Sequence, residues 1–566
     1  MKKFLTVLVA LVLMIVIAGG AVYAWLGDKY KYSTETADME EYFGVSLGEC
    51  AIILQDEMIE SKALVEEDIC YLALEDVHKY LSDVFYVDTR EQLLLYTDGE
   101  GTTRVSIGTK TVSKNGDIEE LPYTICFVRG ETCYIALDYV RRFANFEYRW
   151  FGDHMQMYTQ WGEATVATVN KKTQVRVKGG IKSPILAQLE KGEQVEILER
   201  METWCKVKTG DGIIGYTENK RLSEEKTVTE TPVTDFVEKT YADNRLSGKV
   251  CLGWHAIGGT GGNVTLDEMV AGTKGMNVIA PTWFSLIDDE GQFRSFGEAS
   301  YVDKAHSMGL KVWGVFDDFN YRNETKTVID DYEILSSTTL RTGLVERIVD
   351  TSRELGLDGV NIDFEKLTSD CGPHFAQFIR ELGVACDQAN LILSVDNYMP
   401  NEGNKFYRTD VQGKAADYVI LMGYDEHWHG SSEPGSVASI PFVTEGIEKT
   451  LNRVPADKLI NGIPFYTIVW TIDGTEVSDE YLTMNNLADY LLNHPYEYAW
   501  DETTCQNYME WQSGTKTYKI WIEDAESIQV KLNVMNAHNL AGVAVWRLGY
   551  GTPAAWDLIN IYVQTP

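Results

Sequence analysis

The chain predicts a multidomain protein whose C-terminal half is an α/β (β/α)8 TIM barrel, preceded by an α+β domain and a small all-β barrel. Three observations lead there. From Lys249 onward, apolar runs of strand length alternate with helical segments, the pattern of parallel strands covered by helices. Eight such runs occur, VCLGWHAI, MNVIAPTWF, KVWGVF, GVNIDFE, LILSVD, YVILMGYD, LINGIPF and GVAVW, the number that closes a barrel. The fourth run carries polar side chains at period two, Asn361, Asp363 and Glu365, which suits the mouth of a barrel. At 566 residues the chain exceeds what one core supports, and a barrel of about 250 residues fills only part of it.

The N-terminal segment, residues 1–27, opens Met1-Lys2-Lys3 and stays apolar from Phe4 to Leu26, long enough as a helix to cross a bilayer. It predicts a transmembrane anchor. A secretory signal cleaved near Val22-Tyr23-Ala24 is the rival, and in either case the bulk of the chain lies outside the cytoplasm. The net charge of -35 leaves no broad basic surface and argues against nucleic acid as a partner. Nine cysteines occur without CxxC spacing, so no metal site is expected, and those in apolar stretches, such as Cys126, Cys205 and Cys251, are expected to be buried.

Within residues 42–166 one pattern occurs twice, ICYLALEDVHKYL followed by FYVDTREQLLLYT and TCYIALDYVRRFA followed by FEYRWFGDHMQMYT. Each unit reads strand, short helix, strand. The repeat resembles the stalk-like N-terminal domain of copper amine oxidases, which implies a non-catalytic module. Residues 167–222 read as short strands with turns at Lys-Gly-Glu and Gly-Asp-Gly. They resemble a bacterial SH3-like domain, which implies attachment to cell-wall peptides, although a plain spacer fits the same strands. Residues 223–247 are rich in Thr, Glu and Asp without apolar periodicity and are expected to be a linker. The barrel then occupies residues 248–566, with an insertion of paired strand-like pieces near 466–525 expected to wall the cleft.

In LDGVNIDFEKL, Leu357 to Leu367, alternation puts Val360, Ile362 and Phe364 toward the covering helices and Asn361, Asp363 and Glu365 toward the barrel interior. Inward acids cost several kcal/mol unless they are neutralised or hydrogen-bonded. Asp363 and Glu365, two residues apart on one strand, have α-carbons only about 6.6–6.8 Å apart. Repulsion from an ionised Asp363 would favour a protonated Glu365, the form a general acid needs. Asn361 is expected to hold Asp363 by a hydrogen bond that does not titrate.

This segment resembles the acidic signature of family-18 glycoside hydrolases, and the resemblance extends through all eight strands. It implies retaining, substrate-assisted hydrolysis of N-acetylated glycans through an oxazolinium intermediate, without metal or cofactor. By position, Glu365 would be the proton donor, Asp363 would orient the 2-acetamido group, and Tyr424 of LMGYDEHW would donate to the acetamide oxygen, with Asp425 beside it. Trp546 would lie beneath the cleaved sugar. Trp283, the Asp396-Asn397-Tyr398 run and Trp428 are further cleft candidates, each equally compatible with a packing role. The family often has aspartate where this chain has Asn361, a variant similar to spore-germination and cell-wall hydrolases. Together these resemblances imply peptidoglycan as the substrate, with chitin or chitooligosaccharides, or a non-catalytic wall-binding role, as alternatives.

Overall fold

The computed structural model describes residues 1–566 apart from 233, 235, 320–328, 495 and 566. It divides into two compact units, one of residues 1–85, 105–112 and 119–238, the other of residues 86–104, 113–118 and 239–566.

In the second unit the eight apolar runs form β1 (Val250–His255), β2 (Val278–Pro281), β3 (Lys311–Asp317), β4 (Gly359–Asp363), β5 (Ile392–Asn397), β6 (Tyr418–Leu421), β7 (Leu459–Pro464) and β8 (Gly542–Trp546). Each pairs in parallel with its successor, and β8 closes on β1, so the expected barrel is formed with no free edge. The covering helices are α1 (Leu266–Val270), α2 (Ala299–Ser307), α3 (Thr338–Leu355), α4 (Gly372–Ala389), α5 (Thr409–Ala415), α6 (Ile440–Leu451), α7 (Ala525–Ala537) and α8 (Pro553–Gln564).

The lumen is filled by Leu252, Trp254, Trp313, Val315, Ile420 and Ala544 and their neighbours. Val360, Ile362 and Phe364 face the other way, packed with Phe375 and Phe378 of α4. Gly359 is required where it stands, since a Cβ there would lie 2.7 Å from Cδ1 of Trp313 and 2.8 Å from the Ile392 carbonyl oxygen. That space lets Trp313 stack on Tyr418, their centroids 5.5 Å apart.

Between β7 and α7 the insertion forms a five-stranded antiparallel sheet from Tyr466–Asp473, Glu476–Thr483, Tyr498–Asp501, Gln506–Ser513 and Lys516–Ile522, with its own cluster around Val469, Met509, Trp511 and Ile520. Glu523 anchors its return. Its carboxylate accepts from Lys531 Nζ at 2.9 and 3.0 Å, from Gln506 Nε2 at 2.6 Å and from Ser527 Oγ at 2.8 Å, with Glu523 and Lys531 wholly buried.

Residues 86–104 were expected within the repeat domain but pack in this unit. Asp88 accepts from the Thr338 backbone N–H at 2.7 Å and its hydroxyl at 2.6 Å, and Glu91 accepts from the Thr339 N–H at 2.7 Å. These acids satisfy donors that the first turn of α3 leaves open and favour its positive dipole end.

In the first unit both strand–helix starts of the repeat are present, Ile69–Ala73 into Leu74–Tyr80 and Thr132–Ala136 into Leu137–Val140, and the two strands pair antiparallel. The second copy ends in a hairpin, Glu147–Trp150 with His154–Tyr158, in the same seven-stranded sheet. A second seven-stranded sheet holds the strands read as SH3-like. It begins at Glu163, and Lys226–Thr229, part of the expected linker, pairs with Glu163–Val166 as an added edge strand. Residues 233 and 235 of that stretch lie outside the described residues. Phe43, Ala51 and Ile53 share one core with Val175, Leu189, Val195 and Val207, so the two sheets of this unit are packed together. Helix Lys2–Tyr30 has no buried residue and is long enough to cross a bilayer. Eight of the nine cysteines are buried and all are free thiols, with Cys126, Cys205 and Cys251 among the buried.

Candidate active site

Acids and hydroxyls gather where β3 to β6 end, the face that carries chemistry in barrels. β4 stops at Asp363. Phe364 then turns outward and stacks on Phe378, centroids 5.7 Å apart, leaving Glu365 to line the cleft. The Glu365 and Lys366 backbone N–H groups each donate to one carboxylate oxygen of Asp318 at 2.8 Å. Asp318 follows β3, and burial pushes its carboxyl up to about 7 despite those two donors. It fixes the turn that carries Glu365.

Burial raises the carboxyls of both Asp363 and Glu365. Asp363 stands well above the ordinary range, with repulsion from Glu365, Asp396, Asp317 and Asp318 added to its burial. At Glu365 burial is opposed by hydrogen bonds from Tyr398 and from Asp363. Burial raises both carboxyls and repulsion from Glu365 adds to it at Asp363, so the site disfavours carrying two charges at once. The Tyr398 hydroxyl donates to Glu365 Oε2, while the residue as a whole remains 41% exposed. One carboxyl oxygen of Asp363, Oδ1, has no hydrogen-bond partner among the described residues.

Asn361 does not hold Asp363. It is fully buried, donates through Nδ2 to Asp396 Oδ1 at 2.8 Å and Ser394 Oγ at 3.1 Å, and accepts from Trp254 Nε1 at 3.1 Å. The reason is spacing: adjacent strands lie about 4.8 Å apart, closer than the step of two residues along one strand. Through this link Asn361 orients Asp396, whose carboxyl burial raises and Asn361 partly restores.

Tyr424, just beyond β6, is buried, and its hydroxyl is pushed well up by burial and by Asp396, Asp425, Asp363 and Glu365 around it. Asp425 adopts the left-handed backbone (φ 61°) and accepts from the Tyr466 hydroxyl of the insertion. Trp546 ends β8 edge-on to Trp254, centroids 5.9 Å apart, with part of its surface open. Glu365, Tyr398, Tyr424, Asp425, Trp428 and Tyr481 line one cleft of about 750 Å³. Trp428 and Tyr481 present exposed ring surface there.

Two expected cleft residues are structural. Trp283 is buried between Phe284 and Tyr301 and donates to Asn263 Oδ1 at 2.8 Å, so no face remains for a ligand. Asn397 points out of the barrel and exchanges hydrogen bonds with Gln412 at 2.6 and 3.0 Å, because the pleat turns Asp396 inward instead. Asp318, Tyr466 and Tyr481 were not singled out from sequence. The doubled Asp317-Asp318 at a strand end was a usable signal for the first, whereas the tyrosines depend on how the insertion folds back.

The arrangement offers a raised carboxylic acid, a neighbouring carboxyl with a free oxygen, a buried phenol and exposed aromatic faces. It suits acid-assisted cleavage of a polar, ring-containing polymer.

The model of glycosyl hydrolases family 18 matches residues 286–551, and that of the bacterial SH3 domain matches residues 171–223. YdhD of Bacillus subtilis, whose name assigns it provisionally to sporulation-specific glycosylases, is 29% identical over 242 residues, 41% of this chain and 56% of its own length. A cortical fragment-lytic enzyme of Bacillus anthracis is 24% identical over 236 residues, 40% of this chain and 54% of that enzyme. The chain thus spans little more than half the length of these relatives. A chitinase structure from Chromobacterium violaceum superposes with TM-score 0.50 at 22% identity, covering 56% of this chain and 100% of the other, which shows the shared barrel fold.

Proposed function

Because the chain carries a family-18 glycosyl hydrolase domain behind a bacterial SH3 domain, we propose that it is an extracytoplasmic glycoside hydrolase that cleaves the N-acetylated glycan of peptidoglycan. The observation that carries this reading is the placement of Asp363 at the end of β4 and of Glu365 just beyond it, where Glu365 lines one cleft with the buried Tyr424 and accepts from the Tyr398 hydroxyl.

In this reading Glu365 protonates the glycosidic oxygen as the bond to the anomeric carbon breaks. The 2-acetamido oxygen of the same sugar attacks that carbon and forms an oxazolinium ion, so no protein nucleophile is used. Asp363, through its free oxygen, receives the acetamide N–H and offsets the developing positive charge, while Tyr424 donates to the acetamide oxygen. Glu365, now ionised, takes a proton from water as that water opens the ring with net retention. Trp546 and the exposed Trp428 and Tyr481 supply faces on which pyranose rings stack.

The sporulation and cortical names of the relatives favour peptidoglycan over chitin. The SH3 domain would hold the enzyme on the wall, and the apolar N-terminal helix would keep it at the membrane.

The deciding experiment incubates the full chain with purified glycan strands and with chitooligosaccharides. Mass spectrometry then identifies the new reducing ends, and proton NMR reads the first-formed anomer. Reducing-end N-acetylglucosamine in the β configuration is expected. An initial α-anomer would sink the retaining mechanism, and turnover of chitooligosaccharides alone would sink the peptidoglycan assignment.

A further inference from the structure

A second cavity, of about 460 Å³, opens beside the catalytic cleft and shares the walls formed by Tyr398, Pro400, Asn401, Asn404 and Lys449. It lies between the loop after β5 and the C-terminal end of α6. Their charges differ in sign. The catalytic cleft is lined by Glu365, Asp425, Glu426 and Glu445, with Lys449 the lysine among its described lining residues. The second cavity is lined by Lys405, Lys449 and Arg453, with Glu402 the one carboxylic acid among its described lining residues. In a chain with 85 acidic and 50 basic residues, three cations around one cavity stand out.

These cations are not consumed by strong internal pairing. Lys449 meets Glu445 at 2.6 Å and Lys405 meets Glu402 at 2.6 Å, both within one or two helical turns on the surface, where such pairs contribute little. Arg453 donates no side-chain hydrogen bond among the described residues. Repulsion among three cations is relieved by an anion, and a concave wall focuses their field on it. A carboxylate on a bound glycan would be repelled by the acids around Glu365 and drawn into the neighbouring cavity, which Tyr398 joins to Glu365 directly.

We infer that the cavity of Lys405, Lys449 and Arg453 is a carboxylate subsite that selects anionic N-acetylated glycans over neutral ones. The carboxylate is either the lactyl group of the sugar or that of a short peptide stem. The inference rests on the glycan-hydrolase reading and sharpens its substrate class.

The test measures binding by calorimetry to the full chain carrying Glu365→Gln, which leaves the ligand intact. Three probes of equal length are used: a glycan tetrasaccharide with free lactyl carboxylates, the same with L-Ala-D-Glu stems, and chitotetraose. Either carboxylate probe should bind more tightly than chitotetraose, and whichever is preferred identifies the source. Adding Arg453→Glu with Lys405→Glu should weaken the carboxylate probe by roughly tenfold relative to chitotetraose, and raising salt from about 0.05 to 0.5 M should shrink the preference. Arg453→Gln, milder at an exposed position, should act in the same direction. Equal Kd values for all three probes, or a preference untouched by the charge reversals and by salt, overturns the subsite. Turnover by the unaltered chain is scored separately, so a protein that hydrolyses glycan without charge preference loses the subsite and keeps the hydrolase reading. One that binds selectively but never turns over does the reverse.

Discussion

Replacing Glu365 by glutamine changes one property and preserves the others. The amide oxygen still accepts from the Tyr398 hydroxyl, and the backbone N–H still donates to Asp318 at 2.8 Å. What disappears is the proton. General acid–base assistance contributes about 10²–10⁴-fold, or roughly 3–5 kcal/mol of barrier, and kcat/KM should fall by that factor on a defined glycan oligosaccharide. The unfolding midpoint should hold or rise, since burial disfavours the ionised carboxyl but not an amide. The pH profile gives an independent readout. The acid must be protonated, so activity is lost as pH rises through the folded-state value of Glu365, which burial has raised. Tyr398 opposes that rise by bonding the ionised form, so Tyr398→Phe should carry the alkaline limb to higher pH. Activity of Glu365→Gln within threefold of wild type, or a Tyr398→Phe limb displaced to lower pH, would refute the assignment.

Asp318 holds its proton more tightly folded than unfolded, so its stabilising contribution is full below pH about 4 and lost as pH rises through about 7. Asp318→Asn should flatten the urea stability profile over that window, and by exchanging one acceptor for a donor it should cost about 1–3 kcal/mol and lower kcat. Lys531→Met leaves the fully buried Glu523 without its cation and should destabilise the catalytic unit by about 3–5 kcal/mol in urea melts, unless Glu523 is replaced as well. Deleting residues 167–222 exposes Phe43, Ala51 and Ile53, so trypsin should digest the remainder of the first unit far faster than in the full chain; equal digestion rates would show that the repeat sheet stands alone.

What the sequence made legible follows from which interactions are local along the chain. The barrel was legible because each strand announces itself by an apolar run between helical segments, and chain order is also spatial order around the cylinder. Asn361 and Asp363 share one face because a period of two is a property of one strand, whereas Glu365 lies past the strand end, on a turn held by Asp318. Asn361 failed as a predicted partner of Asp363 because its neighbour is set by the pairing Asn361↔Ser394, which brings β5 alongside and Asp396 within 2.8 Å. Asn397 and Trp283 failed for a related reason: composition places them near a strand end, but only the pleat and the packing of Gln412 and Tyr301 decide which way they point. Residues 86–104 failed most instructively. The likeness of residues 85–97 to residues 146–159 is a likeness of strand pattern, and pattern specifies that a strand forms without specifying which sheet receives it. The acids of the first copy, Asp88 and Glu91, meet the open N–H groups at the start of α3, whereas the second hairpin joins the sheet of its own unit. The catalytic unit is therefore not the contiguous C-terminal half of the chain, and a truncation that begins at Lys239 removes acids that cap one of its longest helices.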